Sequence, residues 1–186
     1  MDPIDHPIRL PEVLTDGVIV LDAPTLDDAG PHLAGEDEEM RRRFESPGPG
    51  TLEGARAAMG RWITARAAGG PMFAYALRNL TGALMGGCEI RLVSADVANV
   101  SYWLFPAFRG RGHASRALRL LCEHAAFIPG LCRIEAHVDP DNIASRRVAE
   151  QARFLEVGVV EDATADGSIA SRILYVRPRL SDKEPE

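Results

Sequence analysis

Cysteine is scarce in this 186-residue chain, which has only Cys88, Cys122 and Cys132 and no Cys-x-x-Cys pair. An odd number of cysteines in apolar stretches predicts reduced, buried thiols and argues against a secreted disulfide framework. Long apolar runs are also absent, since no stretch approaches the roughly 18 residues of a membrane span. The N-terminal segment lacks the basic and then apolar order of a signal peptide. A cytoplasmic location is therefore expected.

Lysine is nearly absent too: the 21 basic residues include one lysine, Lys183, and 27 acidic residues outnumber them for a net charge of −6. This balance disfavours nucleic acid and mildly favours cationic partners. His124, His137, Cys122 and Cys132 lack the spacing of metal ligands on a common face, so no metal is expected. No Gly-x-Ser-x-Gly elbow is present, which disfavours a serine acyl-enzyme.

The length and the absence of an internal repeat or linker predict a single mixed α/β domain. We expect a flexible arm over residues 1–13, the domain over residues 14–178 and a disordered tail over residues 179–186.

Local patterns predict alternating strands and helices. Helices are expected after the caps Thr25 and Thr51, with an interruption at Gly30-Pro31. The acidic and basic run from Glu36 to Arg43 is typical of a solvated helical face, or else provides an acidic rim that attracts an amine. Two further helices are expected, one opened by the turn at Arg109 and one over Ala144 to Ala152. Strands are expected over Val18 to Leu21, Met72 to Arg78, Ala83 to Val93, Val97 to Leu104, Cys132 to Val138, Leu155 to Val160 and Ile169 to Val176.

The most informative segment is Arg109-Gly-Arg-Gly-His-Ala114, which follows a strand and opens a helix. Glycines at a helix start let the backbone approach a ligand, and the unpaired N–H groups of the first turn favour a phosphate. The match to a dinucleotide-binding fingerprint is poor, because Ser115 stands where glycine or alanine is wanted. A tight structural turn remains the alternative interpretation.

This segment resembles the acetyl-CoA signature Arg/Gln-x-x-Gly-x-Gly/Ala of the GNAT acetyltransferase superfamily, here Arg109, Gly112 and Ala114. The resemblance spans about residues 18–176. Within the superfamily, the chain is similar to the Rim-type, ribosomal-protein-alanine N-acetyltransferase subgroup. It is carried further by the segments Ser101-Tyr-Trp-Leu-Phe-Pro106, Arg133-Ile-Glu-Ala-His-Val-Asp139 and Asn142-x-x-Ser145-x-x-Val148.

The resemblance implies an α/β (α+β) GNAT fold: a mixed, largely antiparallel sheet flanked by helices and splayed between its fourth and fifth strands. Here these strands are Val97 to Leu104 and Cys132 to Val138. Pantetheine would lie between them and bond to the strand edge near Leu104 and Phe105. The pyrophosphate would bind a turn that comprises Arg109, Gly110, Arg111, Gly112, His113, Ala114 and Ser115. A role beside the phosphates is favoured for His113, and a role as catalytic base is the less favoured interpretation.

Asn142 would steady the cofactor, and Ser145 would face the thioester and serve catalysis. Three positions depart from common family patterns: Ala149 replaces a tyrosine, Asn99 replaces a glutamate, and Arg153 replaces a glycine. Glu89, on the neighbouring strand, is the alternative base and would act through water.

The expected function is direct acetyl transfer from acetyl-CoA to a primary amine, without a covalent enzyme intermediate or a metal. A protein or peptide α-amine is favoured, because an α-amine with a pKa near 8 is about a tenth neutral at pH 7, whereas lysine is far less so. Acetylation of a small amine, such as an aminoglycoside or polyamine, and a non-catalytic acyl-CoA-binding module remain alternatives. Neither nucleic acid nor membrane is expected as a partner, and a homodimer is left open.

Overall fold

The computed structural model describes residues 8–45, 48–164 and 166–178. These residues form an eight-stranded sheet in the order β1-β2-β3-β4-β5-β6-β8-β7. Among the described strands, β5 and β6 alone pair in parallel, and all other neighbours are antiparallel. The strands are β1 Val13–Thr15, β2 Ile19–Asp22, β3 Met72–Asn79, β4 Leu84–Leu92, β5 Val97–Leu104, β6 Arg133–Val138, β7 Leu155–Ala163 and β8 Ile169–Pro178. The predicted fold class is confirmed.

The helices begin at caps that the sequence supplies. The side chains of Asp37, Thr51 and Asn142 each accept a hydrogen bond from a backbone N–H of the first turn. Thr25 and Asp28 form a capping box on a short 3₁₀ turn, Leu26–Asp28. The helices are α1 Ala29–Gly35, α2 Glu38–Arg43, α3 Leu52–Ala67, α4 His113–Ala125 and α5 Ile143–Gln151.

The predicted interruption at Gly30-Pro31 is wrong, because both residues belong to α1. Pro31 lies in the first turn of that helix. The missing N–H of a proline costs nothing there, since first-turn N–H groups have no intrahelical acceptor.

One face of the sheet packs on α4 and α5. Side chains of a strand alternate between faces, and in β6 Ile134, Ala136 and Val138 enter the core with Leu118 and Leu121 of α4. Cys88 and Cys122 are buried as predicted, but Cys132 is exposed. Its prediction as a buried thiol is wrong because it lies in the turn before β6, where its thiol donates to the Gly130 carbonyl.

The other face packs on α1 over β4 and on α3 over β3. A smaller core there contains Met40, Trp103 and Phe105. The Trp62 indole stacks on that of Trp103, with ring centroids 5.3 Å apart. A Cβ at Gly87 would lie 2.2 Å from the Trp103 ring, so glycine lets this indole lie on β4.

Part of the predicted N-terminal arm contacts the sheet. Leu10 is buried, and the Tyr75 hydroxyl donates to the Pro11 carbonyl at 2.7 Å. Residues 1–7 of the arm and the predicted tail, residues 179–186, lie outside the described residues. Within the described part of the chain, no helix combines the length and apolar character needed to cross a bilayer.

Candidate active site

A cleft opens between β5 and β6. The two strands pair over only three positions, Val97–Asn99 with 133–135, and β5 continues to Leu104 without a partner on that side. The sheet is therefore splayed between the two strands that the sequence indicates. They are the fifth and sixth here, because the short β1 adds one strand to the count.

The backbone of β5 decides which groups face the cleft. The Phe105 N–H donates to the Met85 carbonyl at 2.9 Å, and the Phe105 carbonyl accepts from the Phe108 N–H. Because backbone groups alternate between the two edges of an antiparallel strand, Leu104 presents its N–H and carbonyl to the cleft. Both groups of Phe105 are thus engaged elsewhere. Leu104 offers its N–H to the cleft, and its carbonyl there also accepts from the Arg109 side chain.

The glycine turn lies where β5 leads into α4. Gly110 and Gly112 have φ of 73° and 77°, and Gly112 caps α4. A Cβ at either glycine would meet no atom within 4 Å, so the turn borders open space. The first-turn N–H groups of α4 lack intrahelical acceptors, so this end of the helix has the geometry that favours an anion.

The side chains of the turn have different surroundings. Arg111 is exposed. Ala114 is packed in the core, and Ser115 is buried with its hydroxyl donating to Gln151 of α5 at 2.8 Å. Of the predicted phosphate ligands, Ala114 and Ser115 can therefore offer their backbone N–H groups. His113 has a buried Nδ1 without a protein partner.

Arg109 is held between two groups. Its Nε donates to the Leu104 carbonyl at 3.0 Å, and its two terminal nitrogens donate to Asp37 at 2.7 and 2.8 Å. The hydrogen bond from Arg109 lowers the pKa of Asp37, and the N–H of Met40 lowers it further. An anion in the turn would therefore compete with Asp37 for this guanidinium.

Helix α2 bridges the two arms of the cleft. Its cap, Asp37, binds Arg109 beyond β5, while Arg43 at its other end binds Asp139 and Asp141 beyond β6 at 2.9 and 2.7 Å. Within this charged segment, Arg43 pairs at 2.8 Å with Glu39, which lies four residues earlier. The segment is therefore neither a purely solvated face nor a free acidic rim, since its charges join distant loops.

Ser145 and Asn142 lie on the β6 side of the cleft. Asn142 caps α5 by accepting from the Ser145 N–H at 3.0 Å. The Tyr102 hydroxyl of β5 donates to the Ser145 Oγ at 3.2 Å, so a hydrogen bond links the two arms. Burial raises the pKa of Tyr102 more than this bond lowers it, which keeps the phenol protonated. Sequence reasoning missed Tyr102, because 43 residues separate it from Ser145.

Glu89 lies on the opposite face from Ser145. It pairs in register with Ser101, while its neighbours Cys88 and Ile90 enter the core under α4. Its side chain is 15% exposed and meets Arg91 at 3.3 Å. Burial raises the pKa of the Glu89 carboxyl despite Arg91 and a bond from Ser101. The structure thus does not place Glu89 beside Ser145.

A second polar cluster on the Glu89 face was also missed by sequence reasoning. His137 Nδ1 lies 2.8 Å from an Asp162 oxygen, and its Nε2 lies 3.4 Å from Glu135. The strand period could have indicated that Glu135 and His137 share a face, but not that Asp162 joins them. No group of three or more His, Cys, Asp or Glu within residues 8–45, 48–164 and 166–178 has a metal-binding arrangement.

Known structures share the fold over nearly the whole chain. RimL, described as a ribosomal alpha-N-protein acetyltransferase in complex with coenzyme A, is 19% identical, with a TM-score of 0.75 over 92% of this chain and 100% of that one. RimJ of Mycobacterium smegmatis, in complex with a CoA-disulfide, is 20% identical, with a TM-score of 0.75 over 96% and 90%. The self-immunity acetyltransferase MccE, in complex with acetyl-CoA and AMP, is 16% identical, with a TM-score of 0.75 over 88% and 93%. These neighbours agree with the Rim-type resemblance at the level of the fold.

Sequence comparison gives the family. A probable N-acetyltransferase of Bacillus subtilis, YjcK, is 40% identical over 64 residues, which cover 34% of this chain and 35% of that relative. The family model described as an acetyltransferase (GNAT) domain matches residues 19–155. That match covers most of the chain, including the splayed strands, the glycine turn and Ser145. The chain therefore belongs to the GNAT acetyltransferase family, as its motifs predict.

Proposed function

We propose that this protein transfers the acetyl group of acetyl-CoA to a primary amine, and that the acceptor is the α-amine of a protein or peptide. The observation that carries the proposal is the cleft between β5 and β6, which has a glycine turn at its mouth and Ser145 on its wall. In a GNAT chain these features provide a strand edge, an anion site and a hydroxyl along one path.

The cofactor site follows from the open edge of β5. The amides of pantetheine can pair with the cleft-facing backbone of Leu104 as an added strand would. The pyrophosphate then meets the N-terminus of α4 at Gly112, where backbone N–H groups favour negative charge. Arg109 adds a guanidinium at the same place, drawn from Asp37. Asn142 supports the opposite wall through its cap on α5.

The transfer is direct, with no covalent enzyme intermediate. The amine nitrogen attacks the thioester carbon, a C–N bond forms, the C–S bond breaks, and the amine loses a proton. Ser145 can donate its proton to the leaving thiolate while Tyr102 donates to Ser145 in turn. Glu89, with its pKa raised by burial, is the base suggested by the sequence, and it would act through water.

The acceptor class is argued from proton affinity and from the relatives. An α-amine with a pKa near 8 is partly neutral at pH 7, whereas an alkyl amine near 10.4 is almost wholly protonated. RimL is described as acting on a protein α-amine. A small-molecule amine is the competing acceptor, which the net charge of −6 would also suit.

The decisive experiment is acetyl-CoA turnover, read as CoA thiol release, against peptides that differ in their N-terminal residue and against a panel of small amines. We expect turnover with free α-amines and none with the same peptides blocked at the N-terminus. Preference for an alkyl amine or polyamine would support the small-molecule reading. Acetyl-CoA binding in calorimetry without any turnover would instead identify a non-catalytic acyl-CoA-binding module.

A further inference from the structure

The side of the cleft formed by β6 carries a histidine between two carboxylates. His137 Nδ1 lies 2.8 Å from Asp162 Oδ2, and His137 Nε2 lies 3.4 Å from Glu135 Oε2. All three side chains are largely shielded, with 18%, 26% and 12% of their surface exposed. We propose that His137, oriented by Asp162 and backed by Glu135, accepts the proton of the acceptor amine.

Strand register places this histidine at the start of the splay. Glu135 pairs with Asn99 at the last position where β5 and β6 are joined. His137 comes two residues later, on the part of β6 that has left β5. Continuing the register sets His137 across the cleft from Ser101, whose partner on β4 is Glu89.

The side chain of His137 is on the face opposite Ser145. Its neighbours Ala136 and Val138 enter the core under α4 and α5, so His137 points the other way. The amine approaches the thioester carbon from above or below the plane of the thioester, and the thiolate leaves from the tetrahedral intermediate that forms. A proton acceptor on one face of the sheet and the Ser145 hydroxyl on the other can therefore serve the two groups separately.

Asn99 supports the need for a separate base. Asn99 stands where the family pattern has a glutamate. Its Oδ1 is buried without a protein partner. The carboxylate absent from β5 is present on its register partner, Glu135, which Arg133 Nε contacts at 2.7 Å. With an amide at Asn99, the carboxylate at this register position belongs to Glu135 of β6, which contacts His137.

The hydrogen bond to Asp162 gives His137 a defined role. A carboxylate on Nδ1 fixes the tautomer whose Nε2 lone pair can take a proton. In the transfer step the amine proton goes to Nε2 as the C–N bond forms, and Glu135 stabilises the imidazolium. Arg172, whose Nε lies 3.9 Å from Asp162 and 3.4 Å from Asp139, completes the charged surroundings of this pair.

The inference rests on the proposed acetyl transfer and names its base. The test is the pH dependence of kcat/KM for the amine that the wild type acetylates best, between about pH 6 and 9.5. His137→Gln should lower kcat/KM about a hundredfold at pH 7. The rate of this variant should then rise with pH until the free amine is deprotonated, near pH 8 for an α-amine. Wild type should reach its plateau at lower pH.

Three further variants separate a base from a structural residue. Asp162→Asn should lower the pH 7 rate about tenfold and give the same rising profile, and it replaces His137→Gln if that variant does not fold. Glu89→Gln tests the competing base. His124→Gln is the matched control, since its Nδ1 contacts the Leu120 carbonyl of the same helix, and it should retain the wild-type profile.

The outcomes distinguish the inference from the proposed function. Acetyl-CoA affinity should stay within about twofold of wild type in His137→Gln, because the imidazole contacts the amine and not the cofactor. A folded His137→Gln protein with wild-type rate and profile, or a loss confined to Glu89→Gln, would overturn the inference while acetyl transfer stands. A wild type without turnover of any amine would overturn both.

Discussion

At the residue scale, the same residue type has different consequences at different positions. Gly112 has a φ of 77° beside open space, whereas Gly87 is confined by the Trp103 ring. Arg153, which replaces a glycine of the family pattern, takes a φ of 67°, so here a side chain is attached to a left-handed backbone.

Replacing Gly112 with aspartate should weaken acetyl-CoA binding roughly tenfold. The carboxylate would stand at the helix N-terminus that is proposed to hold the pyrophosphate, and like charges repel there. Calorimetric titration with acetyl-CoA measures the loss. Gly82→Asp is the matched control, because Gly82 also has a positive φ, 85°, and open space, but lies in the turn between β3 and β4. Equal affinities for the two folded variants would exclude the turn from the cofactor site.

Ser145→Ala should lower kcat about tenfold to a hundredfold with little change in acetyl-CoA affinity. The hydroxyl is proposed to act on the departing thiolate, so its removal affects the transition state rather than the bound substrate. Tyr102→Phe, which removes only the donor to Ser145, should cause a smaller loss of the same kind. Steady-state kinetics combined with binding separate kcat from affinity. An unaltered kcat in Ser145→Ala would leave that serine with the role of a helix-turn residue.

Arg153→Gly should stabilise the folded protein by about 1 kcal/mol. A side chain at positive φ costs of order 1 to 2 kcal/mol, and the larger entropy of glycine in the unfolded chain offsets part of that gain. Denaturant unfolding measures the difference. Arg147→Gly, in the interior of α5, should have the opposite sign because a helical glycine is unfavourable. A destabilised Arg153→Gly would mean that the arginine side chain makes a compensating contact.

At the element scale, the sequence predicted strands and caps well and long-range partners poorly. The bounds of β5 agree with prediction, and Thr51 caps α3 as expected. These features depend on residues a few positions apart. The bridging of the cleft by α2 and the partners of Tyr102 and His137 depend on which strands become neighbours, which local pattern does not encode. The exposed Cys132 shows the same limit at the end of a strand.

Asp37→Asn tests the bridge that α2 makes to the glycine turn. Asparagine keeps the helix cap but loses the charge that holds Arg109. A partly exposed ion pair contributes up to about 1 kcal/mol, so we expect acetyl-CoA to bind about twofold to fivefold more tightly. Glu38→Gln, an exposed acid of the same helix, controls for the change in net charge. Weaker binding in Asp37→Asn alone would show instead that Asp37 positions Arg109 for the cofactor.

At the scale of the whole molecule, ion pairs connect elements that are far apart in the chain. Arg78 of β3 contacts Asp22 of β2 and Asp28 before α1, each at 2.8 Å. Arg172 of β8 contacts Glu45 beyond α2 at 2.6 Å. The segments next to α1 and α2 are thus held in place by ionised carboxylates.

This dependence predicts acid sensitivity centred on Asp28. Burial alone would raise the pKa of this carboxyl, but hydrogen bonds from Arg78 and from the Thr25 N–H outweigh burial and hold the pKa below its usual range. The folded state therefore binds its proton less readily than the unfolded chain does. The resulting stabilisation is complete above about pH 4 and is lost as pH falls through the lower folded pKa.

Asp28→Asn should accordingly cost about 1 to 3 kcal/mol at pH 7, since Arg78 keeps Asp22 but loses a charged partner. The difference in unfolding free energy between wild type and Asp28→Asn should shrink as pH falls below about 4, because protonation then removes the same charge from the wild type. Urea unfolding at a series of pH values measures this difference. Asp27→Asn, the exposed neighbour, controls for the loss of one negative charge. A gap between wild type and Asp28→Asn that stays constant from pH 7 to pH 3 would show that packing, and not the ion pair with Arg78, accounts for the contribution of Asp28.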